Sequence, residues 1–205
     1  MKVNYRLRII VGITGASGSI YGWRLLEKLR AQENVETHLI LSRSGERTAV
    51  LEMAKTAAEF KALAHYSYAV EDIGCRLASG SVPMDAMIVA PCSIHTMSAI
   101  AHGISSNLIV RAADVTLKER RPLILMVRES PLHLGHLRSM TTLAEMGAIL
   151  APPAPAFYHQ PKTVADIVEN SVDRVLALAG TPAADARHWD GNRGDQRSRG
   201  DQGSR

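Results

Sequence analysis

The chain has 205 residues, 46% of them hydrophobic and 21% charged, enough for one globular domain with a substantial core. No run approaches the ~18 apolar residues of a membrane-spanning helix, and Met1–Arg6 lacks the apolar core of a signal peptide, so a cytoplasmic protein with no membrane partner is expected. Two thiols, Cys75 and Cys92, are too few for a disulfide scaffold and lack metal spacing, while a net charge of +4 spread along a chain with 4% aromatics gives bases little to stack on and argues against nucleic acid.

Leu7–Val11 is a short apolar run rich in β-branched residues, closed by Gly12 and the turn around Gly15 and Gly18; it reads as a buried strand. Ile20–Leu29 has helical spacing, and Thr37–Leu41 is a second strand. Arg47–Ala64 is rich in Ala, Leu, Glu and Lys and reads as one helix. Met84–Ala90, stopped by Pro91, is a third strand, followed by helical stretches at Thr96–Ala101 and Leu108–Lys118. Leu123–Val127 is a fourth strand, Leu132–Met146 a helix, and Ala148–Leu150 a short fifth strand. After the extended Pro152–Pro155 segment, Thr163 opens a last helix, with Asp166 placed three residues on for a near capping box.

Strands alternating with helices predict an α/β fold, a single doubly wound parallel sheet with helices on both faces. The polar stretch from Asp190 to Arg205 has no aliphatic side chain and is expected to be a disordered tail of residues 190–205 behind a domain of residues 1–189. In such sheets ligands bind beyond the carboxyl ends of the strands. After the first strand, Gly15-Ala16-Ser17-Gly18-Ser19 lets backbone approach a ligand, and the next helix is expected to offer unpaired N–H groups to an anion; a tight turn explains the glycines equally well. Ser42 follows the second strand and Ser93-Ile94-His95-Thr96 the third, small hydroxyls at two more helix starts. Ser42 taken alone is more readily an N-cap than a ligand contact, and Cys92 more readily a packed thiol. Arg128-Glu129 leaves the fourth strand, where charged side chains need a partner or a ligand. Arg111 and Lys118 share a helix face, with Asp114 between them. The pattern suggests two phosphorylated ligands, one a nucleotide or flavin monophosphate, and no cluster with the composition of a metal site.

Thr14–Gly18, Pro91-Cys92-Ser93 with Thr96, Asn107-Leu108-Ile109 with Arg111–Val115, Leu117-Lys118-Glu119, Arg128-Glu129 and Phe157–Pro161 occur together and in order. This set closely resembles the UbiX flavin prenyltransferases, among them the B subunits of phenolic-acid decarboxylase systems, from about Ile9 to Trp189. The resemblance implies a homododecamer of flavodoxin-like subunits that transfers a dimethylallyl group from dimethylallyl monophosphate to N5 and C6 of reduced FMN. The prenylated FMN then serves a UbiD-type decarboxylase, and no metal is implied.

By that resemblance Gly15, Ala16, Ser17, Ser42, Ser93, Ile94, His95, Thr96 and Arg128 would hold the flavin. Arg111, Lys118, Arg128, Glu129, Tyr158, Arg174 and Trp189 would serve the prenyl substrate, partly from neighbouring subunits. Ser17, Glu52, Lys118 and Glu129 are the catalytic candidates. Arg and Lys suit the charge that develops on a departing phosphate, aromatic faces suit an allylic cation, and either glutamate, or the departing phosphate, would take the proton from flavin C6. The family's usual proline before Arg-Glu is Val127 here, and Arg138 stands where a glutamate is usual. Two other readings compete: a non-catalytic FMN-carrying subunit of a decarboxylase, and a related FMN-dependent cysteine decarboxylase.

Overall fold

The computed structural model describes residues 5–181; the expected tail and Trp189 lie outside the described residues. Six parallel strands form one sheet: β1 (Leu7–Ile13), β2 (Val35–Leu41), β3 (Tyr66–Tyr68), β4 (Ala86–Cys92), β5 (Leu123–Val127) and β6 (Ile149–Leu150). Their order is β3-β2-β1-β4-β5-β6. The whole order is the 3-2-1-4-5-6 of a doubly wound sheet; without the three-residue edge strand β3, the run β2-β1-β4-β5-β6 is the flavodoxin order. The order reverses between β1 and β4, so the carboxyl ends of these two strands open a crevice.

Among the described residues seven α-helices cover the sheet: α1 (Ser19–Arg30), α2 (Arg43–Met53), α3 (Ala57–Leu63), α4 (Ile94–Ala101), α5 (Leu108–Lys118), α6 (Leu134–Glu145) and α7 (Val164–Leu178). Strand alternation divides the core. Ile9, Val11 and Ile13 face α1, α3 and α7, packing with Leu25, Phe60 and Val172. Ile10, Met87 and Val89 face the other way, onto Met97 of α4, Ile109 of α5 and Leu143 of α6. β1 is buried on both faces from Ile9 onward, as its continuous aliphatic run requires in a sheet covered on both sides.

Two expectations change, and one strand is new. The single helix over Arg47–Ala64 is two, because Ala54 takes a left-handed φ of 52° and ends α2, and Thr56 starts α3 with a full capping box to Glu59. β4 does not stop before Pro91; a cis Ala90–Pro91 bond carries it to Cys92, with a register shift against β5 between Val89 and Cys92. Strand β3 had no expectation at all. The capping box at Thr163 is complete, with Asp166 also receiving the Thr163 amide.

α7 is pinned to α1 twice. Val168, Val172, Val175 and Leu176 enter the core, and above them Lys28 reaches Glu169 at 2.7 Å and Asp173 at 2.5 Å, while Arg24 also pairs with Glu169.

Candidate active site

The crevice between β1 and β4 is closed by side chains that join the two strand ends. Thr14, the residue after β1, is buried; its hydroxyl donates to the Pro91 carbonyl and accepts the Ser93 amide, both at 2.8 Å. The Arg128 amide donates to the Cys92 carbonyl at 3.1 Å, and its Nε to the Ser17 carbonyl at 3.2 Å. The Arg128 terminal nitrogens make no bond among the described residues, so the guanidinium charge faces the crevice mouth with capacity for a ligand. Gly15 lies against α2 so closely that a Cβ would sit 2.4 Å from Ser44 Cβ, and the Thr48 hydroxyl donates to the Gly15 carbonyl at 3.3 Å. Gly18 follows with φ 105°, a conformation glycine adopts at little cost.

The helix starts behave differently from one another. Ser42 caps α2 by accepting the Gly45 amide at 3.0 Å, and Ser93 caps α4 by accepting the Thr96 amide at 3.3 Å while donating to the Thr96 hydroxyl at 3.2 Å. Ile94 is half-buried and His95 exposed on the first turn of α4. The start of α1 is not open to an anion as expected: Glu52, near the end of α2, accepts the Gly18 amide at 3.0 Å and the Ser19 amide at 2.8 Å. A carboxylate at a helix N-terminus is favoured by the unpaired N–H groups there. Burial raises the Glu52 pKa, but hydrogen bonds from Ser17, Ser19 and Gly18 outweigh it and hold the group below the ordinary carboxylate value. Glu52 is therefore ionised at neutral pH, a proton acceptor rather than a donor. Cys92 is the opposite case: full burial pushes its thiol up to about 12, which removes it as a nucleophile.

Glu129 is exposed beside Arg128, its carboxylate accepting the neighbouring Ser130 amide at 3.0 Å. Tyr158 and Arg174 come together elsewhere, as two walls of a cavity of about 460 Å³ shared with Met126, Pro152, Ala154 and Asp173. Arg111 and Lys118 are not with them. Arg111 pairs with Asp114 at 2.6 Å and donates to the Ala78 carbonyl at 3.3 Å, and Lys118 pairs with Glu119 at 2.5 Å. Both stand on α5, whose core residues pack on the sheet face opposite α7. Trp189 lies outside the described residues. Among the described residues no three His, Cys, Asp or Glu side chains are grouped as a metal would need, and no helix is long and apolar enough to cross a membrane.

The Flavoprotein family model matches residues 2–176. The flavin prenyltransferase UbiX of Salmonella typhimurium is 53% identical over 169 residues, 82% of this chain and 89% of that protein. The chain belongs to the UbiX flavin prenyltransferase family. Two solved structures of UbiX proteins superpose at a TM-score of 0.88. The dodecameric FMN-dependent UbiX-like decarboxylase of Escherichia coli O157:H7 is 45% identical, with 90% of this chain and all of that one covered. AnUbiX in complex with FMN and dimethylallyl pyrophosphate is 42% identical, with 91% and 98% covered.

Residue types alone did not reveal Thr48 or Met126, and Thr14 entered only as the first residue of the Thr14–Gly18 motif. Thr14 carried a weak signal, a hydroxyl at the last buried position before a glycine turn; Met126 carried none, being one aliphatic among five in β5.

Proposed function

We propose that this protein is a flavin prenyltransferase that moves a dimethylallyl group from dimethylallyl monophosphate to N5 and C6 of reduced FMN. The product, prenylated FMN, would serve a UbiD-type decarboxylase, and the working form would be a cytoplasmic homododecamer. The observation that carries the reading is the pairing of two anion-suited places in one chain: the β1/β4 crevice under Arg128, and the Tyr158–Arg174 cavity.

The crevice fits a flavin mononucleotide. Gly15 leaves no room for a side chain of its own and so keeps backbone at the surface of the crevice, Ser42 and Ser93–Thr96 supply hydroxyls at two helix starts, and Arg128 supplies positive charge. Reduced FMN, when bound, supplies the nucleophilic ring atoms. Arg174 in the cavity would bind the phosphate of the prenyl donor and stabilise the charge that grows on it as the allylic C–O bond breaks. The Tyr158 ring, 61% exposed, would face the isoprenoid carbons. Glu52, held ionised beside Ser17, would receive a proton at its carboxylate, with Glu129 the second candidate. Arg111 and Lys118, on the other face of the sheet, would act on the site of a neighbouring subunit.

Anaerobic incubation with reduced FMN and dimethylallyl monophosphate should give a flavin heavier by one prenyl unit on mass spectrometry. Flavin of unchanged mass, with FMN bound, would leave only a carrier role.

A further inference from the structure

Asp173 is out of place. It lines the same cavity as Arg174, where a lone carboxylate would repel the phosphate that Arg174 is suited to bind. Lys28 of α1 meets it there, Nζ 2.5 Å from Asp173 Oδ1 and 2.7 Å from Glu169 Oε2, with 8% of the lysine side chain exposed. So little exposure means that the pair is weakly screened and each charge strongly feels the other. Arg24 already pairs with Glu169, so Asp173 is the carboxylate that depends on Lys28. Arg174 makes no ion pair among the described residues, which leaves its charge directed at the cavity. Four aliphatic residues seat α7 in the core independently of these ions.

We propose that Lys28 is a positioning residue for phosphate capture: by neutralising Asp173 it leaves Arg174 as the charge that the cavity presents to dimethylallyl monophosphate. The inference rests on the cavity being the prenyl phosphate site. Lys28 touches no substrate; it sets the potential of the wall from behind, through Asp173.

The test compares Lys28→Met, Lys28→Met with Asp173→Asn, and Arg174→Ala. Calorimetric titration of dimethylallyl monophosphate into protein loaded with oxidised FMN reads binding without turnover. Lys28→Met should weaken that binding about tenfold, the scale of one uncompensated charge near a dianion at intermediate dielectric, and raise KM in parallel while kcat and FMN affinity hold. The double variant should restore binding, which a purely structural role for Lys28 would not. Should Lys28→Met fail to fold, Asp173→Asn alone reads the same effect in reverse, as binding tighter than wild type. Unchanged binding in Lys28→Met, or no recovery in the double variant, overturns the proposal while leaving the cavity assignment intact if Arg174→Ala still binds poorly. Unchanged binding in Arg174→Ala overturns the cavity assignment itself, and this inference with it.

Discussion

The carboxylate of Glu52 and the amide of Ser19 meet at 2.8 Å, so a residue near the end of α2 closes the start of α1. Thirty-three residues separate the two in sequence. The contact fixes a glutamate at the mouth of the β1/β4 crevice and keeps it charged, because two backbone amides and a serine hydroxyl stabilise the anion.

Glu52→Gln should retain FMN binding, since the amide oxygen still accepts from the helix start, yet slow prenyl transfer about a hundredfold if the carboxylate is the proton acceptor. Stopped-flow formation of the prenylated product, beside an FMN titration, checks both halves. The acid dependence follows from the lowered pKa. A folded pKa below the unfolded value adds stability above the ordinary carboxylate value of 4.5 and loses it as pH falls through the folded value. Acid unfolding curves of Glu52→Gln should be flatter than wild type below pH 4.5.

Thr14→Val keeps shape and removes the hydroxyl that joins the two strand ends. The Ser93 amide then loses its acceptor at 2.8 Å. A buried donor left unpaired costs about 2 kcal/mol, which for a domain of this size lowers the thermal midpoint by about 6 °C. Calorimetry should show that loss together with weaker FMN binding, because the Ser93–Thr96 segment is no longer tied to β1.

Gly15→Ala forces a Cβ to within 2.4 Å of Ser44 Cβ, and α2 or the turn has to move. Overpacking of this kind costs about 1–3 kcal/mol. FMN affinity, measured by flavin fluorescence quenching, should fall by more than that stability loss alone accounts for, since the crevice wall itself is displaced.

His38 is fully buried on β2, between the Tyr68 hydroxyl at 3.0 Å and Glu36 at 2.9 Å. Burial lowers its pKa, with Glu36 partly opposing, so the unfolded chain takes up a proton before the folded one does. Stability is then complete above the ordinary value of 6.5 and falls as pH drops below it, by up to about 1.4 kcal/mol per pH unit. The thermal midpoint of wild type should decline between pH 7 and 5, and His38→Gln should flatten that decline.

Alkylation should separate the two thiols. Cys92, buried and with its thiol raised to about 12, should stay unmodified by iodoacetamide at pH 8 until the protein is unfolded. Cys75, partly exposed, should react in the folded state, so mass spectrometry should find one adduct per native chain.

The sheet was legible because β1, β2, β4 and β5 are mostly buried and each carries a short aliphatic run: Ile9–Val11, Leu39–Leu41, Met87–Ala90 and Leu123–Val127. Strand β3 escaped because Tyr66-Ser67-Tyr68 is mostly exposed and only three residues long, too short for its alternation to be read. The break in the second helix was readable in principle, since Thr56 and Glu59 have capping-box spacing, but the Ala and Lys around them favour helix and hide it. At the site, small residues and hydroxyls at strand ends pointed to the crevice between β1 and β4, while the occupant of the α1 start did not show, because no local pattern ties Glu52 to Gly18. Roles for Tyr158 and Arg174 came from resemblance alone; nothing in their spacing announces a shared cavity.

Both edges of the sheet are short: β3 has three residues and β6 two. An edge of that length exposes few unpaired backbone groups, so it is a poor template for another chain's strand. If copies of this chain assemble as proposed, they would meet through helices and loops rather than by continuing the ladder, which would leave the strand ends, and the crevice between β1 and β4, free to lie where chains meet.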